Sequence, residues 1–257
     1  QSIVNDNPNI GTATKVIIEG YTSIGIEAFY TRGNLTEVTI GNSVITIGDN
    51  AFNNCDGLTI VTIGDSVTTI GEYAFNNCDS LEIIVLPDSV STINAYAFAY
   101  CNALTSIIIP ASVITIGQSV FEECSNLITI NVNESNNYYS SLDGVLFNKN
   151  QTELIIYPAG KSGSYIIPNS VISIGNYAFY QCTELTSVTI GNYVTTINYY
   201  AFFQCTGLLS VIFGNSVTTI GIQAFQNCSS LTSLTLPVSI TSIVYPFYIL
   251  YMAVVLK

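Results

Sequence analysis

One interval, 23 residues, recurs along this chain and limits what it can fold into. Phe29, Phe52, Phe75, Phe98 and Phe121 stand one interval apart, and the series resumes at Phe179, Phe202 and Phe225. Cysteines follow three residues later, at Cys55, Cys78, Cys101, Cys124, Cys182, Cys205 and Cys228, with Arg32 in that position of the first copy. A unit this short cannot bury its own apolar face. Copies must therefore stack, each closing the core of the one before it.

Within a copy the apolar positions define two straight segments. Leu35, Leu58, Leu81, Leu104 and Leu127 open the first. Val38, Val61, Ile84, Ile107 and Ile130 come three later, then Ile40, Ile63, Leu86, Ile109 and Val132. The last two sets are two residues apart, which puts both side chains on one face of a short strand. Gly41, Gly64, Pro87 and Pro110 make a turn, a second apolar pair such as Val67 and Ile70 continues the wall, and Gly48, Gly71 and Gly117 precede an Ala-Phe corner. The corner predicts a turn of α- or 3₁₀-helix. The spacing L-x-x-L-x-L in a period of this length marks a leucine-rich-repeat solenoid of the α/β class. About ten coils are expected, with a parallel β-sheet and short helical segments.

The array reads as one solenoid over 1–257. Residues 1–13 are a polar lead-in or N-terminal cap, 14–130 regular coils, 131–168 an extended irregular coil, 169–244 regular coils, and 245–257 a C-terminal cap or contact segment. The extended coil arises because Phe121 and Phe179 are 58 residues apart, two periods and twelve more. There Val145-Leu146-Phe147 and Glu153 to Tyr157, joined by the polar run Asn148 to Thr152, predict a β-hairpin. Insertions of this kind usually bulge from one face of a solenoid, often the binding face. Gln1 opens the chain without methionine or a charged-then-apolar leader, which reads as a processed or trimmed form.

Composition excludes several activities. There are 5 Lys+Arg against 17 Asp+Glu, a net charge of −12, with no basic cluster. That argues against nucleic acid and against a polybasic membrane contact. No segment is apolar for long enough to insert in a membrane. The chain has no histidine, hence neither the commonest general base nor the commonest transition-metal ligand, and no G-x-S-x-G elbow. The reading is non-catalytic, with no cofactor and no metal. The cysteines contain no C-x-x-C pair and recur one coil apart, about 4.8 Å along the stack. Side chains stacked that way suit a buried thiol column better than disulfides.

Taken together, C-x-x-L-x-x-I-x-I-P/G-x-S-V-x-x-I-G-x-x-A-F resembles the BspA-like, or Treponema-type, leucine-rich repeats. Cys101-Asn-Ala-Leu104, Ile109-Pro110 and Val113-Ile-Thr-Ile116-Gly117 match it closely, and the stretch through Asp143-Gly144 and Tyr157-Pro158 is similar to a longer variant of the same repeat. The resemblance spans roughly residues 14–244. It implies a right-handed arc with the parallel sheet on its concave side, in secreted or cell-surface proteins of bacteria and protists, several of them adhesins. It implies no catalytic residues.

Candidate contact residues come from the variable strand positions, which should face solvent yet include Ile60, Ile83, Val85, Ile108 and Ile212. Contiguous exposed aliphatics mark contact surfaces, although β-branched residues also favour strands for their own sake. Tyrosines one residue before the Ala-Phe step, Tyr73, Tyr96, Tyr177 and Tyr200, read either as a recognition stripe or as packing between coils. Asn34, Asn133, Asn150 and Asn227 head N-x-S/T sequons and are candidate N-glycosylation sites. The first functional reading is an extracellular or cell-surface recognition or adhesion module for a protein or glycan partner, with the inserted hairpin as a second contact. The alternative is a structural protein assembling end to end, as a homo-oligomer or filament, through its open solenoid ends. The apolar tail residues Phe247, Tyr248, Leu250 and Tyr251 would be the assembly contact.

Overall fold

The computed structural model describes residues 2–3, 12–243 and 253–256. It divides into two compact units, Gln1–Tyr138 and Tyr139–Lys257. Both are stacks of leucine-rich-repeat coils, and a regular coil contributes one wide and one narrow strand to mainly parallel sheets.

The first unit holds β1 (Ser2–Ile3), β2 (Lys15–Ile18), β3 (Ser23–Ile24), β4 (Glu37–Ile40), β5 (Thr46–Ile47) and β6 (Ile60–Thr62). It continues with β7 (Thr69–Ile70), β8 (Ile83–Val85), β9 (Thr92–Ile93), β10 (Ser106–Ile109), β11 (Thr115–Ile116) and β12 (Thr129–Val132). The odd-numbered strands form the narrow sheet β1-β3-β5-β7-β9-β11, and the wide strands form β2-β4-β6-β8 and the pair β10-β12. Register follows the 23-residue period: Thr46 opposes Thr69 and Val61 opposes Ile84. One side chain of every inward pair is buried because alternate residues of a strand face opposite ways. The Leu, Val, Ile, Ala, Phe and Cys columns are accordingly at most 7% exposed over coils 35–109.

The phenylalanine column is a stack of parallel rings. Centroids lie 5.0 Å apart between Phe29 and Phe52, 5.2 Å between Phe52 and Phe75, and 5.6 Å between Phe75 and Phe98. Burying each ring contributes about 1.5–3 kcal/mol before any stacking term. The cysteine column runs beside it. Each thiol of the first unit lies 3.0–3.3 Å from the carbonyl of the phenylalanine 26 residues earlier, as Cys101 does from Phe75. All seven cysteines are free and buried.

The corner departs from expectation, since the described residues around phenylalanine form successive turns and not a helix. Residues two before and two after each phenylalanine take positive φ, for example Tyr73 (56°) and Asn77 (57°). As a result the N–H groups alternate in direction. Those of Tyr73, Phe75 and Asn77 donate to Ala95, Ala97 and Ala99 of the next coil, and those of Ala74 and Asn76 donate back to Gly71 and Tyr73. A helix would keep every donor within its own segment; this corner spends half of them on the neighbouring coil. Approach there is close. A Cβ on Gly71 would stand 2.5 Å from the carbonyl carbon of Gly48.

The second unit holds β13 (Tyr139–Leu142), β14 (Val145–Asn148), β15 (Glu153–Ile156), β16 (Gly163–Ile166), β17 (Ser173–Ile174) and β18 (Leu185–Thr189). It continues with β19 (Thr196–Ile197), β20 (Ser210–Ile212), β21 (Thr219–Ile220), β22 (Ser233–Leu236), β23 (Ser242–Ile243) and β24 (Ala253–Leu256). The expected hairpin is present as antiparallel β14 and β15, and a second hairpin precedes it. Asp143 and Gly144 join β13 to β14 with φ of 51° and 76°, the paired positive values of a two-residue type I′ turn.

The insertion is integrated into the unit. β15 pairs in parallel with β17, matching Leu154 to Ile174, so it serves as a narrow strand. Val145, Phe147, Leu154 and Tyr157 join the unit's core. Tyr157 also takes the phenylalanine position of its coil, its ring 4.9 Å from that of Phe179. At the other end β24 lies parallel to β22, so the tail's backbone supplies the strand that follows β22.

Candidate functional site

The wide sheet of the first unit presents two outward rows. Register aligns Lys15, Glu37, Ile60 and Ile83 in one, and Ile17, Thr39, Thr62 and Val85 in the other. On the next wide strand Ser106 and Ile108 stand one period beyond Ile83 and Val85, followed by Thr129 and Asn131. These side chains point outward because their neighbours Val61, Ile84 and Ile107 are committed to the core. The structure brings Ile60, Ile83, Val85 and Ile108 together as a strip across three strands, exposed by 50, 63, 70 and 64%. A depression in it is lined by Ile60, Thr62, Ile63, Ile83, Val85 and Pro87, with Asp65 at its side. At the β2 end the strip meets an ion pair between Lys15 and Glu37, 2.6 Å apart.

Ile212, the fifth candidate, belongs to the other unit. It is exposed on β20, in a row with Ile166 and Thr189. Its neighbouring row is Ser164, Ser187 and Ser210, so that sheet is hydroxyl-rich where the first is aliphatic.

Ile17 is a further member that the repeat frame hides. Counted by 23 it would fall in the buried column of Ile40, but β2 pairs with β4 at an offset of 22, which aligns Ile18 with Ile40. A slip of one residue exchanges the faces of a strand, and Ile17 is 70% exposed.

Charge is distributed unevenly around the strip. From Gly33 to Tyr138 the chain has no Lys or Arg, yet it carries Glu37, Asp49, Asp56, Asp65, Glu72, Asp79, Glu82, Asp88, Glu122, Glu123 and Glu134. Asp65, Glu82 and Asp88 are exposed next to the strip residues in sequence or in the depression. From Leu185 to Leu256, by contrast, no charged side chain occurs.

The tyrosine positions form stacks. Tyr73 and Tyr96 lie 4.8 Å apart and parallel within 1°, Tyr177 and Tyr200 5.1 Å apart within 6°. In the second unit Tyr180, Tyr199 and Phe203 join the latter pair. The faces of stacked rings are occupied by one another, which favours packing between coils over recognition. Asn34, Asn133, Asn150 and Asn227 are all exposed. The side-chain oxygen of Asn133 accepts the Ser135 N–H at 3.0 Å. Phe247, Tyr248, Leu250 and Tyr251 lie outside the described residues.

Among the described residues no three His, Cys, Asp or Glu side chains converge as a metal site would require. The four thiols of the first unit are held in their neutral form: burial pushes Cys55 and Cys124 from 9.0 up to about 12, and raises Cys78 and Cys101 as well. Nucleophilic chemistry needs a thiolate. No helix among the described residues is long and apolar enough to cross a membrane.

Comparison with known proteins places this geometry. The family profile described as the BspA type leucine rich repeat region matches residues 22–152 and 159–248, in six copies. No curated protein matches the chain. Among solved structures, a leucine rich cell surface protein from Faecalibacterium prausnitzii is 30% identical, with 91% of this chain and 78% of that one covered and a TM-score of 0.54. A leucine-rich repeat protein from Eubacterium ventriosum is 28% identical, covering 95% and 74%, with a TM-score of 0.70. The pneumococcal vaccine antigen PcpA shares the fold, with a TM-score of 0.77 at 23% identity over 94% and 70%.

Proposed function

The chain belongs to the BspA-type leucine-rich-repeat family, and we propose that it is a non-catalytic recognition or adhesion module acting outside the cell or at its surface. The observation that carries this reading is the aliphatic strip Ile60, Ile83, Val85 and Ile108, held outward on the wide strands β6, β8 and β10 where solvent alone would favour polar residues. The similarity to a bacterial cell surface protein supports the location. Stacked coils fix the strip's geometry before any partner arrives, which lowers the entropy lost on binding.

Replacing the four strip residues by serine tests the reading. The variant should keep the circular dichroism spectrum and unfolding midpoint of the parent within experimental scatter, because no core contact is removed. Its attachment to intact cell monolayers and to immobilised extracellular-matrix proteins should fall at least tenfold. Undiminished attachment by the folded variant would place the contact elsewhere on the molecule.

A further inference from the structure

We infer that the partner of the strip is a cationic polypeptide segment, one that presents aliphatic side chains to Ile60, Ile83, Val85 and Ile108 and lysine or arginine to the carboxylates beside them. This rests on the strip being the contact face and adds what the face selects. The depression between Ile60 and Val85 accepts an apolar side chain, and Asp65 stands at its side. Glu82 directly precedes Ile83, Asp88 follows three residues after Val85, and both are exposed. No lysine or arginine in residues 33–138 offsets them.

The charge imbalance sorts the classes of partner. Nucleic acid and anionic lipid surfaces are disfavoured by a face dominated by carboxylates, whose Lys15 is already paired with Glu37. A neutral glycan donates hydroxyl hydrogen bonds to carboxylates but gains no ionic attraction from them, and it leaves the aliphatic depression unfilled. Only a polypeptide offers aliphatic groups and fixed positive charge on one segment. Apolar contact at the centre with opposite charge at the rim is also the usual anatomy of a specific protein interface. The rim charges speed encounter and reject acidic competitors, and the aliphatic centre sets residence. The second unit provides an internal contrast, since one row of its wide sheet is all serine (Ser164, Ser187 and Ser210), Thr189 separates Ile166 from Ile212 in the other, and no charged residue occurs beyond Glu184 before Lys257.

A random dodecapeptide display library panned on the whole chain tests the inference. Selected peptides should combine a net positive charge with at least two aliphatic residues. They should bind about tenfold more weakly to the triple variant Asp65→Asn, Glu82→Gln, Asp88→Asn. Affinity should also fall as salt is raised from 50 to 500 mM, through screening of the rim. Binding should be lost on replacing the four strip residues by threonine, a residue the same rows already hold at Thr39 and Thr62. If selected peptides are uncharged or acidic, or bind the neutralised variant as tightly as the parent while the threonine variant loses them, the strip remains the contact face and the charge inference is wrong. If peptides bind the threonine variant unchanged, the strip is not the contact face and both readings fail.

Discussion

The side-chain amide of Asn136 donates a 2.9 Å hydrogen bond to the backbone carbonyl of Val113, one period earlier. The same amide reaches Pro110 O at 2.8 Å, and its oxygen accepts the Tyr138 N–H at 2.8 Å. Asn136 is fully buried at the position where preceding coils place Val44, Val67, Val90 and Val113. It therefore replaces a core valine with a polar clamp at the coil where the period breaks. Asn136→Val would restore the apolar column but leave two carbonyls and one N–H without this partner. Each buried polar group left unpaired costs about 1–3 kcal/mol. A loss of about 2–4 kcal/mol in urea unfolding is expected, against little change for exposed Asn137→Val.

The thiol column of the first unit makes stability depend on alkaline pH. Cys55 and Cys124 have their ionisation raised from 9.0 to about 12 by burial, so the fold favours the neutral thiol. Their stabilisation is complete below pH 9, where folded and unfolded chains are both protonated. It declines as pH climbs from 9 towards 12, because the unfolded chain ionises first. The slope is about 1.4 kcal/mol per pH unit for each thiol in that window. Urea midpoints measured from pH 8 to 11 should fall, and fall less steeply in the double variant Cys55→Ser, Cys124→Ser. Parallel slopes in the two proteins would show that the thiols do not carry the effect.

Tyrosine at positive φ distinguishes backbone cost from ring stacking. Tyr96 (φ 57°) stacks on Tyr73, whereas Tyr100 (φ 59°) is 38% exposed. A left-handed conformation costs a residue with a Cβ about 1–2 kcal/mol, and asparagine less. Tyr100→Asn should raise the melting temperature by a few degrees. Tyr96→Asn should leave it level or lower it, because the ring contact, about 0.5–1.5 kcal/mol, is lost along with the strain. Equal shifts in both variants would remove stacking from the account.

The Asp143-Gly144 turn fixes the meander of the extended coil. Both residues need positive φ, and Gly144→Val places a β-branched side chain at 76°. Limited proteolysis should then cut between Leu142 and Val145 at rates well above the parent's, with the coils from Gly175 onward remaining protected.

Sequence made the columns legible because a period of 23 leaves little choice about which residues stack. Phe75, Cys78, Leu81 and Ile84 are buried where the pattern places them. The corners were less legible, since a run such as Tyr73-Ala74-Phe75-Asn76 carries no local sign that alternate N–H groups will serve the next coil. That arrangement is imposed by stacking and overrides helical preference. Ile17 escaped because one coil pairs at an offset of 22, and Tyr157 because a 22-residue interval separates it from Phe179. Asn136 escaped because a polar residue in a polar run gives no hint of burial. The outward position of Ile60, Ile83, Val85 and Ile108 could be read from alternation alone, whereas the pairing that sets Ile60 beside Ile83 is a property of the folded sheet.

The burial of every native cysteine allows the contact face to be tested by blocking it. Val85→Cys introduces one exposed thiol on the strip, and Ile45→Cys introduces one beside the narrow sheet of the same unit. Each is labelled with a bulky polyethylene glycol maleimide, and attachment to cell monolayers is compared with that of the unlabelled variant. The expected result is loss of attachment for the polymer at position 85 and retention for the polymer at position 45. Attachment that survives the polymer at 85, or fails equally with the polymer at 45, would contradict the assignment of the aliphatic strip as the contact face.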